Sequence, residues 1–218
     1  MTKPATLINT PASEPCATVI LAHGAGAAMD SAFMEAISGL LCESGCEVIR
    51  FEFPYMAERR KTGSRRPPDR QPRLLEAWRA QLDEVIRTLP QGRKLFIGGK
   101  SLGGRMASLI ADESAINGLI CLGYPFHPAG KPAQLRTEHL AQLKTPTLIV
   151  QGTRDRLGDH DEVATYTLSP AIKIHWLADG DHDLKPRVKS GFTHTQHIQA
   201  AVEGVMVFIR RFQGAPEN

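Results

Sequence analysis

Short apolar runs rich in Val, Ile and Leu alternate along the chain with longer amphipathic stretches, and each run ends in Gly, Pro, Asp or Asn. A strand with one wet face alternates apolar with polar, so unbroken runs of this kind indicate strands buried on both faces. The pattern predicts strands at 16–21, 47–53, 94–97, 118–122, 147–151 and 172–177, with a weaker first strand near 6–9.

The segments between them carry a helical period. Asp30 or Ser31 can cap a helix that places Phe33, Met34, Ile37, Leu40 and Leu41 on one face and ends near Gly45. Leu74, Leu75, Trp78, Leu82, Val85, Ile86 and Leu89 give the clearest helix, stopped by Pro90 and Gly92. Further helices are expected at 101–112, 131–143, 159–166 and 193–212. Strands and helices in strict alternation imply a mostly parallel α/β sheet of six to seven strands, with right-handed crossovers and helices on both faces. Repeats and linkers are missing, so residues 1–218 are expected to form one domain. Only 54–72 has no period, and long aperiodic loops in compact domains are usually functional.

Composition adds one local feature. The 218 residues hold 26 Lys and Arg against 23 Asp and Glu, a formal net charge of +3. Arg59, Arg60, Lys61, Arg65, Arg66, Arg70 and Arg73 sit together with Asp69 as the one acid among them, so outside this segment acids outnumber bases. A general basic coat for nucleic acid is therefore excluded. No apolar run is long enough for a membrane span or a signal peptide, which predicts a cytoplasmic chain with no membrane partner. Cys16, Cys42, Cys46 and Cys121 follow no metal or disulfide spacing and are expected to be buried thiols.

The string LFIGGKSLGGRMASLIAD runs from a strand through a Gly-rich turn into a helix. A phosphate-binding GxxxxGK[ST] loop would need Gly where Lys94 stands, and GxGxxG is absent. GxSxG does fit, as Gly99, Lys100, Ser101, Leu102 and Gly103. A nucleophile on a sharp strand-to-helix bend needs small neighbours, and the helix start aims N–H groups at the reacting centre. The alternative is a Ser that only caps the helix.

A hydroxyl needs a base, and the base an orienting carboxylate, supplied in this architecture in the order Ser, acid, His from later strand ends. Asp155 follows the strand ending at Gln151, and His182 follows the strand ending at Leu177. The other histidines fit less well: His175 lies within a strand, and His194 and His197 fall on the last helix, a spacing that more often faces solvent than binds metal. Asp159 and Asp161 read better as the first turn of a helix. The N–H of Leu102 and one amide from the loop 23–28, Ala25 or failing that Gly26, would hold the oxyanion. Arg105 reads as a structural partner for a loop carboxylate.

At HGAGA, GGKSLGGR, QGTRD and DGDHD the sequence resembles the α/β-hydrolase superfamily over nearly its whole length. FEFPYM, RRPPDR and LGYPFHP are similar to a small capless branch of predicted hydrolases, related to dienelactone hydrolases and to hydrolase-like subunits of a histone acetyltransferase complex. The resemblance implies the fold and a Ser101, Asp155, His182 triad without a separate lid. Dienelactone hydrolases carry Cys at the nucleophile position, so their particular activity does not transfer to Ser101.

The expectation is thus a serine hydrolase acting on a small-molecule carboxylic ester or thioester, with no metal or organic cofactor and activity falling on the acid side as His182 is protonated. Tyr55, Tyr124 and Phe126 are expected to wall the acyl or leaving group, although aromatics beside Pro often only pack a loop down. Arg59 and Arg60 are expected to attract an anionic substrate. The rival expectation is an idle module of the same fold that docks an acidic partner through 59–73. Substrate identity and oligomeric state are not readable from the residues.

Overall fold

The computed structural model describes residues 6–213. Seven strands form one sheet: β1 (Thr6–Asn9), β2 (Ala17–Ala22), β3 (Cys46–Phe51), β4 (Lys94–Lys100), β5 (Gly118–Leu122), β6 (Thr147–Gly152) and β7 (Ile172–Leu177). Their order is β1-β3-β2-β4-β5-β6-β7, with β1 antiparallel to β3 and every other pair parallel. All residues of β2 and β5 are buried, as unbroken apolar runs require when helices cover both faces.

The helices are α1 (Ala32–Glu43), α2 (Pro54–Thr62), α3 (Gln71–Thr88), α4 (Leu102–Ser108), α5 (His160–Val163) and α6 (His194–Arg210). One face of the sheet packs Trp78, Leu82 and Val85 of α3 and Met106 of α4 over Phe51, Ile97 and Leu119. The other packs Met34, Ile37 and Leu41 of α1 and Val202, Val205 and Ile209 of α6 over Val48, Phe96 and Val150. The expected α/β architecture is therefore the observed one. None of the described helices is long and apolar enough to cross a membrane.

Three local expectations change. Residues 54–62 are helical rather than aperiodic: Pro54 starts the helix, Tyr55 and Met56 bury into the core, and Gly63 ends it at φ 73°. The expected helix at 131–143 is irregular apart from a short 3₁₀ turn at Glu138–Ala141, because Pro132 removes a donor and only Leu140 of that turn is buried. The helix expected over 101–112 stops at Ser108, followed by a 3₁₀ turn at Ala111–Glu113.

The sheet order fixes where chemistry can sit. After β2 the chain moves outward to β3 and then returns to build β4 on the other side of β2. The loops leaving β2 and β4 thus diverge in opposite directions, and such a switch point opens a crevice at the carboxyl edge. Ala22 stands opposite Gly99 in the register, which sets the start of the 23–28 loop beside Ser101.

Candidate active site

Ser101 has φ 48° and ψ −109°, a strained conformation for a residue with a side chain. Close packing enforces it. A Cβ on Gly99 would lie 2.1 Å from the Ala22 carbonyl oxygen, and one on Gly103 2.3 Å from the same atom, so neither position accepts a side chain. The Ser101 N–H donates to the Leu122 carbonyl at 3.0 Å, and the buried Trp78 donates its indole N–H to the Gly103 carbonyl at 3.2 Å. Both neighbours therefore clamp the bend from outside.

His182 Nε2 lies 2.8 Å from Ser101 Oγ, and His182 Nδ1 lies 2.8 Å from Asp155 Oδ2. A carboxylate only accepts, so Nδ1 carries the hydrogen and Nε2 is left to accept from the hydroxyl. Asp155 is fully buried. Its Oδ1 accepts the Leu157 N–H and its Oδ2 also accepts from Gln151 Nε2, each at 2.8 Å. Three residues from three strand ends are thus brought together as the sequence predicts. His175 stays within β7, and Asp159 caps α5 through a reciprocal bond with Glu162, so neither competes.

The turn bearing His182 is held by residues that sequence reasoning missed or misplaced. Lys100, buried directly before Ser101, donates its ammonium to the His182 carbonyl at 2.5 Å and pairs with Asp183 at 3.2 Å. Burial pushes this ammonium below its usual range, and Asp183 opposes the shift. His194 Nε2 meets the Asp183 carbonyl at 3.0 Å and His197 Nδ1 the Leu184 carbonyl at 2.8 Å. His197 is buried, not solvent-facing, and both ring contacts serve the turn. Gln151 is the other omission: besides Asp155 it binds both the N–H and the carbonyl of Tyr124. Its signal was an amide ending an otherwise apolar strand.

The 23–28 loop is fixed by its carbonyls. His23 Nδ1 lies 2.7 Å from the Gly24 carbonyl while Nε2 accepts the Phe53 N–H at 3.1 Å, an arrangement of a neutral ring whose pKa burial lowers. The Tyr55 hydroxyl bonds the Gly24 and Ala25 carbonyls at 3.3 and 3.0 Å. In a trans peptide the N–H opposes the preceding carbonyl, so the Ala25 and Gly26 N–H groups both point away from Tyr55. Among the described residues neither these two nor Leu102 donates a backbone hydrogen bond. A Cβ on Gly24 would lie 3.9 Å from that of Ser101, so the loop passes beside the nucleophile.

The residues expected to bind substrate are buried or engaged within the fold. Tyr55, Tyr124 and Phe126 are 1%, 0% and 0% exposed and pack the loops down instead of walling a pocket. Tyr124 donates its hydroxyl to the Arg136 carbonyl at 3.1 Å and stacks edge-on against Phe126. Arg59 donates to the Gly26 carbonyl at 3.3 Å, and Arg60 is spent on ion pairs with Asp30 and the buried Glu52. Among the described residues Arg105 finds no carboxylate, only the Gln71 amide oxygen at 3.2 Å.

Solved structures repeat this architecture. A lidless a/b serine hydrolase from Xanthomonas campestris aligns over 99% of this chain and 97% of its own, at 21% identity and a TM-score of 0.71. An alpha-beta serine hydrolase homologue from Coxiella burnetii aligns over 94% and 90%, at 20% identity and a TM-score of 0.71. Dienelactone hydrolase from Anabaena variabilis aligns over 93% and 90%, at 20% identity and a TM-score of 0.69. At such identities the likeness is one of fold. The sequence itself matches the model of the alpha/beta hydrolase domain family over residues 15–210, and with sheet, bend and strand-end residues in agreement the chain belongs to that family.

Proposed function

We propose that the chain is a serine hydrolase that cleaves a carboxylic ester or thioester, with Ser101 as nucleophile, His182 as base and Asp155 as its orienting carboxylate. One observation carries this reading: the unbroken hydrogen-bonded series from Ser101 Oγ through both ring nitrogens of His182 to a fully buried Asp155. Serine-hydrolase and dienelactone-hydrolase neighbours lend it the support of shared architecture.

Ser101 Oγ adds to the carbonyl carbon while its proton passes to His182 Nε2. The developing oxyanion would accept from the N–H groups of Leu102 and of Ala25 or, failing that, Gly26, none of which donates another backbone hydrogen bond among the described residues. Collapse breaks the bond to the alcohol or thiol, which leaves with the proton from Nε2. Water then attacks the acyl-serine, gives its proton to Nε2, and the second collapse frees the acid and restores Ser101. Every proton and electron pair is accounted for within these groups.

The rival reading, a docking module built on 59–73, is weakened because Arg59, Arg60, Arg66 and Arg73 are each engaged within the fold. A panel of 4-nitrophenyl esters and acyl thioesters tests the proposal. Turnover that Ser101→Ala lowers by about 10³- to 10⁶-fold in kcat is expected. Turnover equal in Ser101→Ala and the natural chain refutes it.

A further inference from the structure

Beside Ser101 lies a polar cluster that the reaction above does not use. Arg105 stands one turn into α4, its N–H bonded to the Ser101 carbonyl at 2.9 Å. Helical side chains lean toward the N-terminus, which directs Arg105 back toward the catalytic edge. Its Nη2 donates to Gln71, at the start of α3, while its Nε is buried with no acceptor.

Arg136 comes from the loop after β5, its N–H bonded to the Phe126 carbonyl at 2.7 Å and its carbonyl to the Tyr124 hydroxyl at 3.1 Å. His139 links the two backbones: its Nε2 is 2.8 Å from Ser108 Oγ, which also donates to the Arg105 carbonyl, and 3.4 Å from the Tyr124 hydroxyl, which donates to the Arg136 carbonyl. Burial first and the charge of Arg105 second push Arg136 below its usual range and His139 down to about 4. His139 is therefore neutral at pH 7.

Among the described residues no carboxylate pairs with Arg105 or Arg136, although ion pairs occupy most other arginines. Two partly desolvated guanidinium groups that repel each other, one with an unused donor, are costly unless something anionic completes them. Each also presents a planar fork of donors suited to two oxygens.

We propose that Arg105 and Arg136 form a subsite for an oxyanion carried by the substrate, about one helical turn from the reacting serine. Resting on the serine-hydrolase reading, this narrows the substrate class to esters or thioesters whose acyl half ends in an anionic group. Because Arg105 is rooted one helical turn, ~5.4 Å, beyond Ser101, an acyl chain of about four methylenes between scissile carbonyl and anion is the length to test first. Carboxylate and phosphate share the recognition chemistry, and separate arms of the test distinguish them.

The test compares 4-nitrophenyl hexanoate with mono-4-nitrophenyl adipate and 4-nitrophenyl 5-phosphonopentanoate, using the natural chain, Arg136→Gln, Arg136→Lys and Arg105→Gln. The natural chain should prefer at least one anionic ester over hexanoate by about 10- to 100-fold in kcat/KM, the worth of a charge-assisted contact. That ratio should collapse in Arg136→Gln and recover in part in Arg136→Lys; the better of the two anionic arms names the group. Equal turnover of charged and neutral esters by the natural chain, or a preference that survives both Gln replacements, overturns the subsite. Binding to Ser101→Ala separates it from the chemistry. Calorimetry that finds monomethyl adipate bound more tightly than methyl hexanoate, with the difference lost on adding Arg136→Gln, supports the subsite even if Ser101 proves inert. No such difference overturns it even if Ser101 is reactive.

Discussion

Two groups of arginines in this molecule behave in opposite ways. The segment 59–73 is the most basic in the sequence, yet its charge is largely consumed: Arg60 by Asp30 and Glu52, Arg66 by Glu58 and Asp69, Arg73 by Asp69, and Arg59 by the Gly26 carbonyl. Arg105 and Arg136 are isolated in the sequence, and in the fold neither pairs with an acid among the described residues, while the charge of Arg105 bears on Arg136. A cluster of like charges along a chain raises its own demand for counter-ions, met here by Glu52, Glu58 and Asp69 from within or beside the segment and by Asp30 from 30 residues away. Two cations brought together from separate loops have no such supply. Free positive potential is thus a property of the fold, and local charge density is a poor guide to it.

The comparison can be broken at four points. The largest effect concerns its centre: His182→Ala should lower kcat by about 10³- to 10⁶-fold in ester hydrolysis, since a triad acts as a unit. Near-natural turnover would leave the arginines no such reaction to serve. Next, Arg60→Met should destabilise the fold by about 2–4 kcal/mol in urea unfolding, because it leaves the buried Glu52 unpaired while Arg60 itself is partly exposed. No loss of stability would show the segment's charge to be less committed than the ion pairs imply.

Smaller in scale is Lys100→Met, which frees the turn bearing His182. Steady-state kinetics should then show kcat down by about 10- to 100-fold with KM little changed, as expected for a misplaced base. A rise in KM alone would assign Lys100 to binding. The smallest effect is expected from the cations of 59–73 that, among the described residues, have neither an acid nor a carbonyl partner: Lys61, Arg65 and Arg70. Replacing all three with Gln should alter the ratio of anionic to neutral ester turnover by less than about twofold and stability by about 0.5 kcal/mol or less. A collapse of that ratio would return substrate selection to the basic segment.

The same contrast explains what was legible. Long apolar runs reveal strands because burial on both faces leaves no polar alternation, and every predicted strand is present. β4 continues beyond Ile97 to Lys100, since its glycines allow neighbouring backbones to pack at distances a side chain forbids. The Ser101, Asp155 and His182 placements were legible from strand ends. Lys100 and Gln151 were not, because each is one polar residue closing an apolar strand and its role depends on a contact far along the chain. Helix α2 carried a start signal in Pro54 and a stop in Gly63, but Glu58 to Thr62 gave no apolar period. Tyr55, Tyr124 and Phe126 followed the plainer of their two readings: their rings fill the core, and the hydroxyls of the two tyrosines tie down loops. Arg136 sits in a polar, irregular stretch, and only the fold sets it near Arg105.

The central claim is that Ser101 is an activated nucleophile. Reacting the natural chain and His182→Ala with a fluorophosphonate and mapping the adduct by peptide mass spectrometry tests it most directly. The account predicts a single adduct on Ser101 in the natural chain, strongly slowed in His182→Ala. An unlabelled Ser101, or labelling at another residue that is indifferent to His182, would contradict it.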